Sequence, residues 1–521
     1  MKNMLNCQKL NYILNIAVFC IIYTAIVKFL SAFSINSEFL FVPYVSYSVF
    51  DADSFFHIFT ASDHSWYVLS ALGVLLDRYI PAFFNIHPQE FVSLVSKTFV
   101  PCVFFIFLYS ITDSFYKYYK NKNCYSFVLF TVFCTILILL YTSRFILACS
   151  NDCWIYAYIV LPIFPICLNN IFEKYYVNGE KPNFLIVFFL IFFTSISHEF
   201  FRFILLSSLL IGYFLNFLFI DRKIKIKHIF IYLGIIILNS ITFFSTFYQG
   251  WLLVHVNNNF YSEIKSLMPI FFREYTKYFI LENLVLYFVL AVLYVYIFYF
   301  EKNNDIKKRY FIYNGAILLS FFLFSVVMII AVPNYDGAML TIFEHCGIRF
   351  ISKVLILLLI LSALSLICSC SKLSCKQIIA VSSVILFLLF IKSVKLNISY
   401  TIQGFKIYTE TIRRSLYIWE KSFLLLNKNS KSKEVLILNF PSGLEGFKSG
   451  NEGSLLFLLY TYNKKSVGFK EEIICTNQDD IQKCTNKMQQ FVLNKTRYSF
   501  TEQELEKPDF QKLYEEEFKK N

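Results

Sequence analysis

Long apolar runs recur along this chain and constrain its fold more than any other feature. A membrane-crossing helix needs about 20 mostly apolar residues. Eleven runs meet that requirement, near 12–33, 92–112, 125–142, 153–171, 183–197, 201–220, 229–247, 280–300, 310–332, 350–370 and 377–394. One hydrophobic core stops growing at about 250–300 residues, so a water-soluble fold of 521 residues cannot absorb them all. Charged residues make up 16% of the chain, against about a quarter in soluble domains. The expected fold class is an all-α polytopic membrane protein of about 11 transmembrane helices, and collagen-like, coiled-coil, disordered and small disulfide-scaffold classes are excluded. The run that starts at Tyr12 is longer than a signal-peptide core and lacks a clear small-x-small cleavage site, so it reads as a retained first span.

Basic residues alternate between the connections. Lys2 and Lys9, then Lys117, Lys120 and Lys122, then Lys174 and Lys181, then the cluster from Arg222 to Lys227, then the cluster from Lys302 to Arg309, then Lys372 and Lys376 occupy every second one. The other connections are poor in lysine and hold Glu38, Asp51, Asp53, Asp63, Asp77 and Glu90. The positive-inside rule makes the first set cytoplasmic. The N-terminus is then inside, and the long segment 34–91 and the C-terminal segment are outside. Of the net charge of +13, the part before residue 396 carries +10, mostly in cytoplasmic connections. Orientation and contact with anionic lipid account for that charge, and nucleic acid is not an expected partner.

Composition changes after Lys395. Residues 396–521 are about 28% charged and residues 1–395 about 12%. Two domains follow: a multi-pass membrane domain, 1–395, and a soluble extracytoplasmic domain, 396–521. In the second, Val435 to Phe440 before Pro441-Ser-Gly predicts a strand and turn, and a small α+β module fits.

The outer segment 34–91 holds Phe50-Asp51-Ala52-Asp53-Ser54-Phe55-Phe56-His57. In extended backbone Asp51 and Asp53 present their carboxylates on one side, whereas a helix splays them by about 200°. Paired carboxylates can divide labour: one takes a proton from an attacking hydroxyl, and the other orients that group or holds a divalent metal. The plain alternative is a solvated acidic loop. After the motif, Trp66 to Pro81 has the spacing of an amphipathic interfacial helix. This order of first span, outer acidic motif, interfacial helix and second span resembles the C-type (GT-C fold) polyprenol-phosphate-dependent membrane glycosyltransferases. The resemblance implies a catalytic carboxylate at Asp51 or Asp53, with Asp51 slightly preferred as the base. It also implies a polyprenyl-phosphate-linked sugar donor and a glycan or lipid acceptor; the expected setting is a bacterial inner membrane with an undecaprenyl-phosphate-linked donor, and the sequons Asn397-Ile-Ser399 and Asn494-Lys-Thr496 leave a eukaryotic endoplasmic-reticulum enzyme as the alternative.

A second constellation, Ser195-Ile-Ser197-His198-Glu199-Phe-Phe-Arg202, joins two apolar runs with almost no polar loop. Ionisable groups at such a depth are costly and are usually paired or face a wet cavity. One reading is a hairpin lock in which Glu199 neutralises Arg202. The other sets His198 and Arg202 beside the donor phosphate, with Glu199 orienting one of them, because the arginine fork suits phosphate oxygens. His345-Cys-Gly-Ile-Arg349 repeats the His-x-x-x-Arg pattern on the same side. His345 and Arg349 thereby extend the cationic rim, although Arg349 alone also reads as snorkelling to lipid.

Among fourteen cysteines, the outer pairs Cys149/Cys153 and Cys475/Cys484 are placed for local disulfides. Cys368, Cys370 and Cys375 lack the fourth ligand of a zinc site. The sequence has no P-loop, Rossmann glycine pattern or H-E-x-x-H. Two further function classes stay open. One is an O-antigen-type polymerase or ligase in which the outer arginines work and the Asp pair is incidental. The other is a lipid-linked glycan transporter, although no internal repeat is evident.

Overall fold

The computed structural model describes residues 12–24, 80, 83–84, 88–119, 124–143, 159–195, 197, 199–221, 233–234, 237, 268–270, 272–331, 346–371, 375–395, 435–440, 474–476 and 496–499. The described residues before 396 are overwhelmingly helical. α1 is Tyr12–Thr24. α2 is Pro88–Asp113, followed by a 3-10 turn Phe115–Lys117. α3 is Tyr125–Ser143, α4 Ile163–Asn178, α5 Phe184–Ser195 and α6 Glu199–Asn216. A π-turn, Thr276–Leu281, leads to α7, Leu284–Phe300. α8 is Asn304–Ala331, α9 Cys346–Ser371 and α10 Cys375–Lys395. Each apolar run thus overlaps a described helix except the run at 229–247, of which only three residues are described; of the runs at 12–33 and 153–171 the described parts are 12–24 and 159–171.

These helices form because their residues are apolar, are seldom interrupted by Gly, and have termini marked by breakers. Gly179 ends α4 at φ 73°, a left-handed geometry that glycine adopts without steric cost, and donates its N–H to Tyr175 O at 3.0 Å. Gly212 has a different use. A Cβ there would lie 3.4 Å from Tyr313 Cδ2 and 3.6 Å from Ala316 Cβ, so its bare backbone sets the close approach of α6 to α8.

α9 is the central helix. It packs against α3, α6, α7 and the 3-10 turn, and its residues from Phe350 to Cys368 are buried all round. Polar links tie its neighbours together. Asn170 of α4 accepts from Ser114 Oγ at 2.8 Å and donates to Ser110 O at 3.0 Å, and Tyr313 of α8 donates to Asn169 Oδ1 at 2.7 Å.

The outward faces are apolar. On α7, Leu284, Phe288, Val292, Val295 and Tyr299 follow one another at helical spacing and are exposed, while Leu286, Val289, Leu290, Leu293 and Ile297 are buried. α5 exposes Phe184, Leu185, Phe188, Phe189 and Phe192, and α10 exposes Val384, Phe387, Phe390 and Ile391. By length and composition, one helix among the described residues, Arg349–Cys370 within α9, can cross a bilayer by itself. Met268–Leu281 with Leu284–Phe300 makes a second, bent candidate.

In the C-terminal region β1, Val435–Phe440, stands where the sequence predicts a strand. β2, Ile474–Thr476, and β3, Thr496–Ser499, flank it in the order β2-β1-β3. Both pairings are parallel, with Val435 opposite Thr496 and Ile437 opposite Ile474. Parallel neighbours need crossover connections of a dozen residues or more. The intervals after β1 and β2 are long enough for that.

Candidate functional site

Asp51, Asp53, His198 and His345 lie outside the described residues, as do the cysteine pair Cys149/Cys153 and Cys484. Glu199 opens α6, with its backbone alone described. The structure therefore gives geometry to two of the predicted site residues, Arg202 and Arg349.

Arg202 is completely buried and is among the largest fully buried side chains of the described residues. Its Nη1 donates to Ser195 O, the last residue of α5, at 2.7 Å. The last carbonyls of a helix have no partner within it and carry partial negative charge, so a cation folded back onto them caps the helix. The hairpin itself is tight. Thr194 O accepts from both Ser197 N, at 3.1 Å, and Ser197 Oγ, at 2.7 Å. A lock between α5 and α6 thus exists, and its described partner is a backbone carbonyl; the side chain of Glu199 lies outside the described residues.

Arg349 sits in the first turn of α9. It makes a two-pronged pair with Glu282, Nε to Oε2 at 3.1 Å and Nη2 to Oε1. Lys353, one turn further along, places its Nζ 3.6 Å from Glu282 Oε2. Residues four apart share a helix face, so both cations converge on one carboxylate. Below them lies Tyr278. Arg349 Cζ stands 4.9 Å from its ring centroid and Lys277 Nζ 4.5 Å, with Lys277 also donating to the Tyr278 hydroxyl at 2.9 Å. Glu282 occupies a two-residue break between the π-turn and α7; its N–H bonds to Lys277 O at 3.2 Å. The cluster is partly open. Side-chain exposure is 17% for Arg349, 24% for Glu282 and 4% for Lys353.

At the other end of α9 is a buried cluster that linear reading did not single out. Glu173 of α4 accepts from Lys117 Nζ, Tyr118 OH (3.0 Å) and Ser362 Oγ. Ser365, on the same face one turn on, accepts from the backbone N–H groups of Tyr118 and Tyr119 at 2.9 and 3.1 Å. The side chains of Lys117 and Glu173 are 0% and 1% exposed. Burial pulls the Lys117 pKa below the ordinary lysine value, and the Glu173 carboxylate works against that. Burial, and then the Glu173 charge, push Tyr118 well up. Lys117 was counted among loop lysines from the charge pattern; it is instead a buried partner. The signal available in sequence was one acidic residue, Glu173, beside Lys174 at the inner end of a run.

Among the described residues no three His, Cys, Asp or Glu side chains converge as a metal cage requires, and Asp51 and Asp53 fall outside that search. Cys370 Sγ donates to Glu301. Comparison with family models, with curated proteins and with solved structures finds no match to this chain.

Proposed function

We propose that this protein is an integral membrane glycosyltransferase that moves a sugar from a polyprenyl-phosphate donor to a cell-surface glycan or lipid on the extracytoplasmic face. The observation that carries the membrane setting is the set of apolar outward faces on α5, α7 and α10. Monomeric soluble proteins rarely expose contiguous apolar patches beyond a few hundred Å², whereas a bilayer solvates such faces and requires every backbone polar group to be bonded internally, as a helix does. Support for the chemistry comes from the cationic outer end of α7 and α9, where an arginine fork and a lysine gather at a position suited to an interfacial phosphate.

In the proposed reaction the acceptor hydroxyl oxygen attacks the anomeric carbon. Its proton passes to a carboxylate of the first outer loop, Asp51 or Asp53. The bond between the anomeric carbon and the phosphate oxygen breaks, and that oxygen keeps the electron pair. Negative charge grows on the departing lipid phosphate, so fixed cations beside it lower the barrier. Arg349 is the described residue with a geometry suited to this. Arg202, buried and engaged with Ser195 O, acts first by fixing the α5–α6 hairpin on which His198 and Glu199 stand.

Membranes carrying Asp51→Asn or Asp53→Asn at verified, equal expression are assayed for transfer from a polyprenyl-phosphate sugar. A loss of about 100-fold or more is expected for the residue acting as base. Full activity in both variants overturns the mechanism and favours the polymerase reading, in which arginines carry the chemistry.

A further inference from the structure

We infer that the turn between α7 and α8 is a binding site for an anionic phospholipid, whose phosphodiester pairs with Lys302 and Lys308 while its acyl chains lie along the exposed apolar faces of the two helices. Charge is the first argument. Lys302 and Lys308 are exposed, and among the described residues neither ammonium pairs with a carboxylate. Their acidic neighbours are already placed. Glu301 accepts from Asn303 N at 2.7 Å and from Cys370 Sγ, and Asp305 stands in the first turn of α8, where the helix dipole favours a carboxylate. Lys307 is committed as well: its Nζ donates to Phe298 O at 3.2 Å and lies 5.3 Å from the centroid of that ring. Arg309 is half-buried and already engaged. Two cations therefore face outward at the end of the molecule that the charge pattern places in the cytoplasm, where the leaflet is rich in anionic lipid.

Apolar surface is the second argument. The exposed stripe of α7 ends at the turn with Phe298, Tyr299 and Phe300, all three exposed. On α8, Lys308 shares a face with Gly315, Leu319 and Phe322, which follow it at helical spacing and are exposed. Near the turn Tyr294 of α7 packs against Tyr310 and Phe311 of α8, but the long contact of α7 is with α9 and that of α8 is with α6. Gly315 shapes this face further. A Cβ there meets nothing within 4 Å, and glycine inside a helix is unfavourable relative to alanine. Packing within the protein does not call for it, whereas a bare backbone two turns from Lys308 leaves room for a chain laid against the helix. The turn between α4 and α5 provides the contrast, because its exposed Lys181 stands beside an exposed Glu180.

The inference rests on the membrane setting of the proposed function and on none of its chemistry. Full-length protein in detergent is titrated with phosphatidylglycerol and, separately, with phosphatidylcholine, and bound lipid is counted by native mass spectrometry. The unaltered protein is expected to prefer phosphatidylglycerol. Lys302→Gln and Lys308→Gln are each expected to weaken phosphatidylglycerol binding about fivefold, the effect of one cation at an anionic lipid surface, and to leave phosphatidylcholine binding unchanged. Lys181→Gln is expected to change neither. Gly315→Leu, which fills the open space on α8, is expected to weaken binding of both lipids with the unfolding temperature kept or raised. Equal affinity of the unaltered protein for the two lipids overturns the proposal. So does a loss in Lys181→Gln as large as in Lys302→Gln, which is the behaviour of a diffuse basic surface without a site. Binding of both lipids by Gly315→Leu at the unaltered affinity overturns the placement of the acyl chains on α8. Lipid binding is read without sugar transfer, so absent transfer with the lysine effects intact removes the glycosyl-transfer reading alone. Transfer with no preference for phosphatidylglycerol removes only this one.

Discussion

The two ends of α9 solve the same problem, a carboxylate held by cations among apolar helices, in opposite ways. At one end Glu173 is matched to a single lysine, accepts two hydroxyl donors besides, and has no access to solvent. At the other end, about 20 Å along the helix at 1.5 Å per residue, Glu282 faces both Arg349 and Lys353 and remains partly exposed. A sealed cluster is out of an anion's reach and serves to hold elements together, whereas a partly open one leaves its cations accessible. The difference marks the first as a fastening between α4, α9 and the 3-10 turn, and the second as the end at which the proposed ligand chemistry has a path in.

The comparison breaks most easily at Lys117. Removing one member of a buried ion pair typically costs about 3–5 kcal/mol, because the other charge is left uncompensated. Lys117→Met is expected to lower the unfolding temperature in detergent by an amount corresponding to that range. Glu173→Gln is expected to cost less, since the pKa of Lys117 is already lowered and the side chain sheds its proton more readily once its partner is neutral. The double variant is expected to recover part of the loss, and strictly additive losses in a double-mutant cycle would show that the pair is not coupled. Next comes Arg202. Replacing it by Met leaves Ser195 O without its described donor, a loss of about 1–3 kcal/mol, with the fold of the rest retained. A change below a few tenths of a kcal/mol would mean that the cap is dispensable. Last comes Glu282→Gln: its carboxylate is partly open to solvent, but the change takes a charge partner from the buried Lys353 ammonium, so a loss of about 1–2 kcal/mol is expected in the same unfolding measurement, and no loss would mean that the cluster contributes nothing to stability.

Helices were legible because apolar runs with few breakers have few other solutions, and β1 was legible because Val435 to Phe440 stands between charged and turn-forming segments. The pairings were not. Lys117 and Glu173 are 56 positions apart, and Arg349 and Glu282 are 67 apart. In a linear reading each resembles an ordinary charge at the end of a span. Arg202 stands out from its depth between two apolar runs, with Glu199 or a donor phosphate as its expected partner; the acceptor described besides, a helix-terminal carbonyl, leaves no trace in the sequence. Arg349 was identified from the repeated His-x-x-x-Arg spacing, whereas Lys353 one turn on was overlooked inside an apolar run.

The charge pattern puts the Glu173 end on the cytoplasmic side and the Glu282 end outside. One observation pulls against it. Cys124 is disulfide-bonded, close to Lys120 and Lys122 on the side that should be reducing. Sidedness is therefore the direct test of the central claim that ligand chemistry lies at the outer end of α9. A short epitope is inserted after Glu180, in the exposed turn between α4 and α5, and in a second full-length protein after Phe260, in the connection that precedes the π-turn. Antibody is applied to intact and to permeabilised spheroplasts. The account predicts that the tag after Phe260 is reached in intact spheroplasts and the tag after Glu180 only after permeabilisation. The reverse pattern would turn the molecule over, put the Arg349–Glu282–Lys353 cluster in the cytoplasm, and contradict transfer on the extracytoplasmic face.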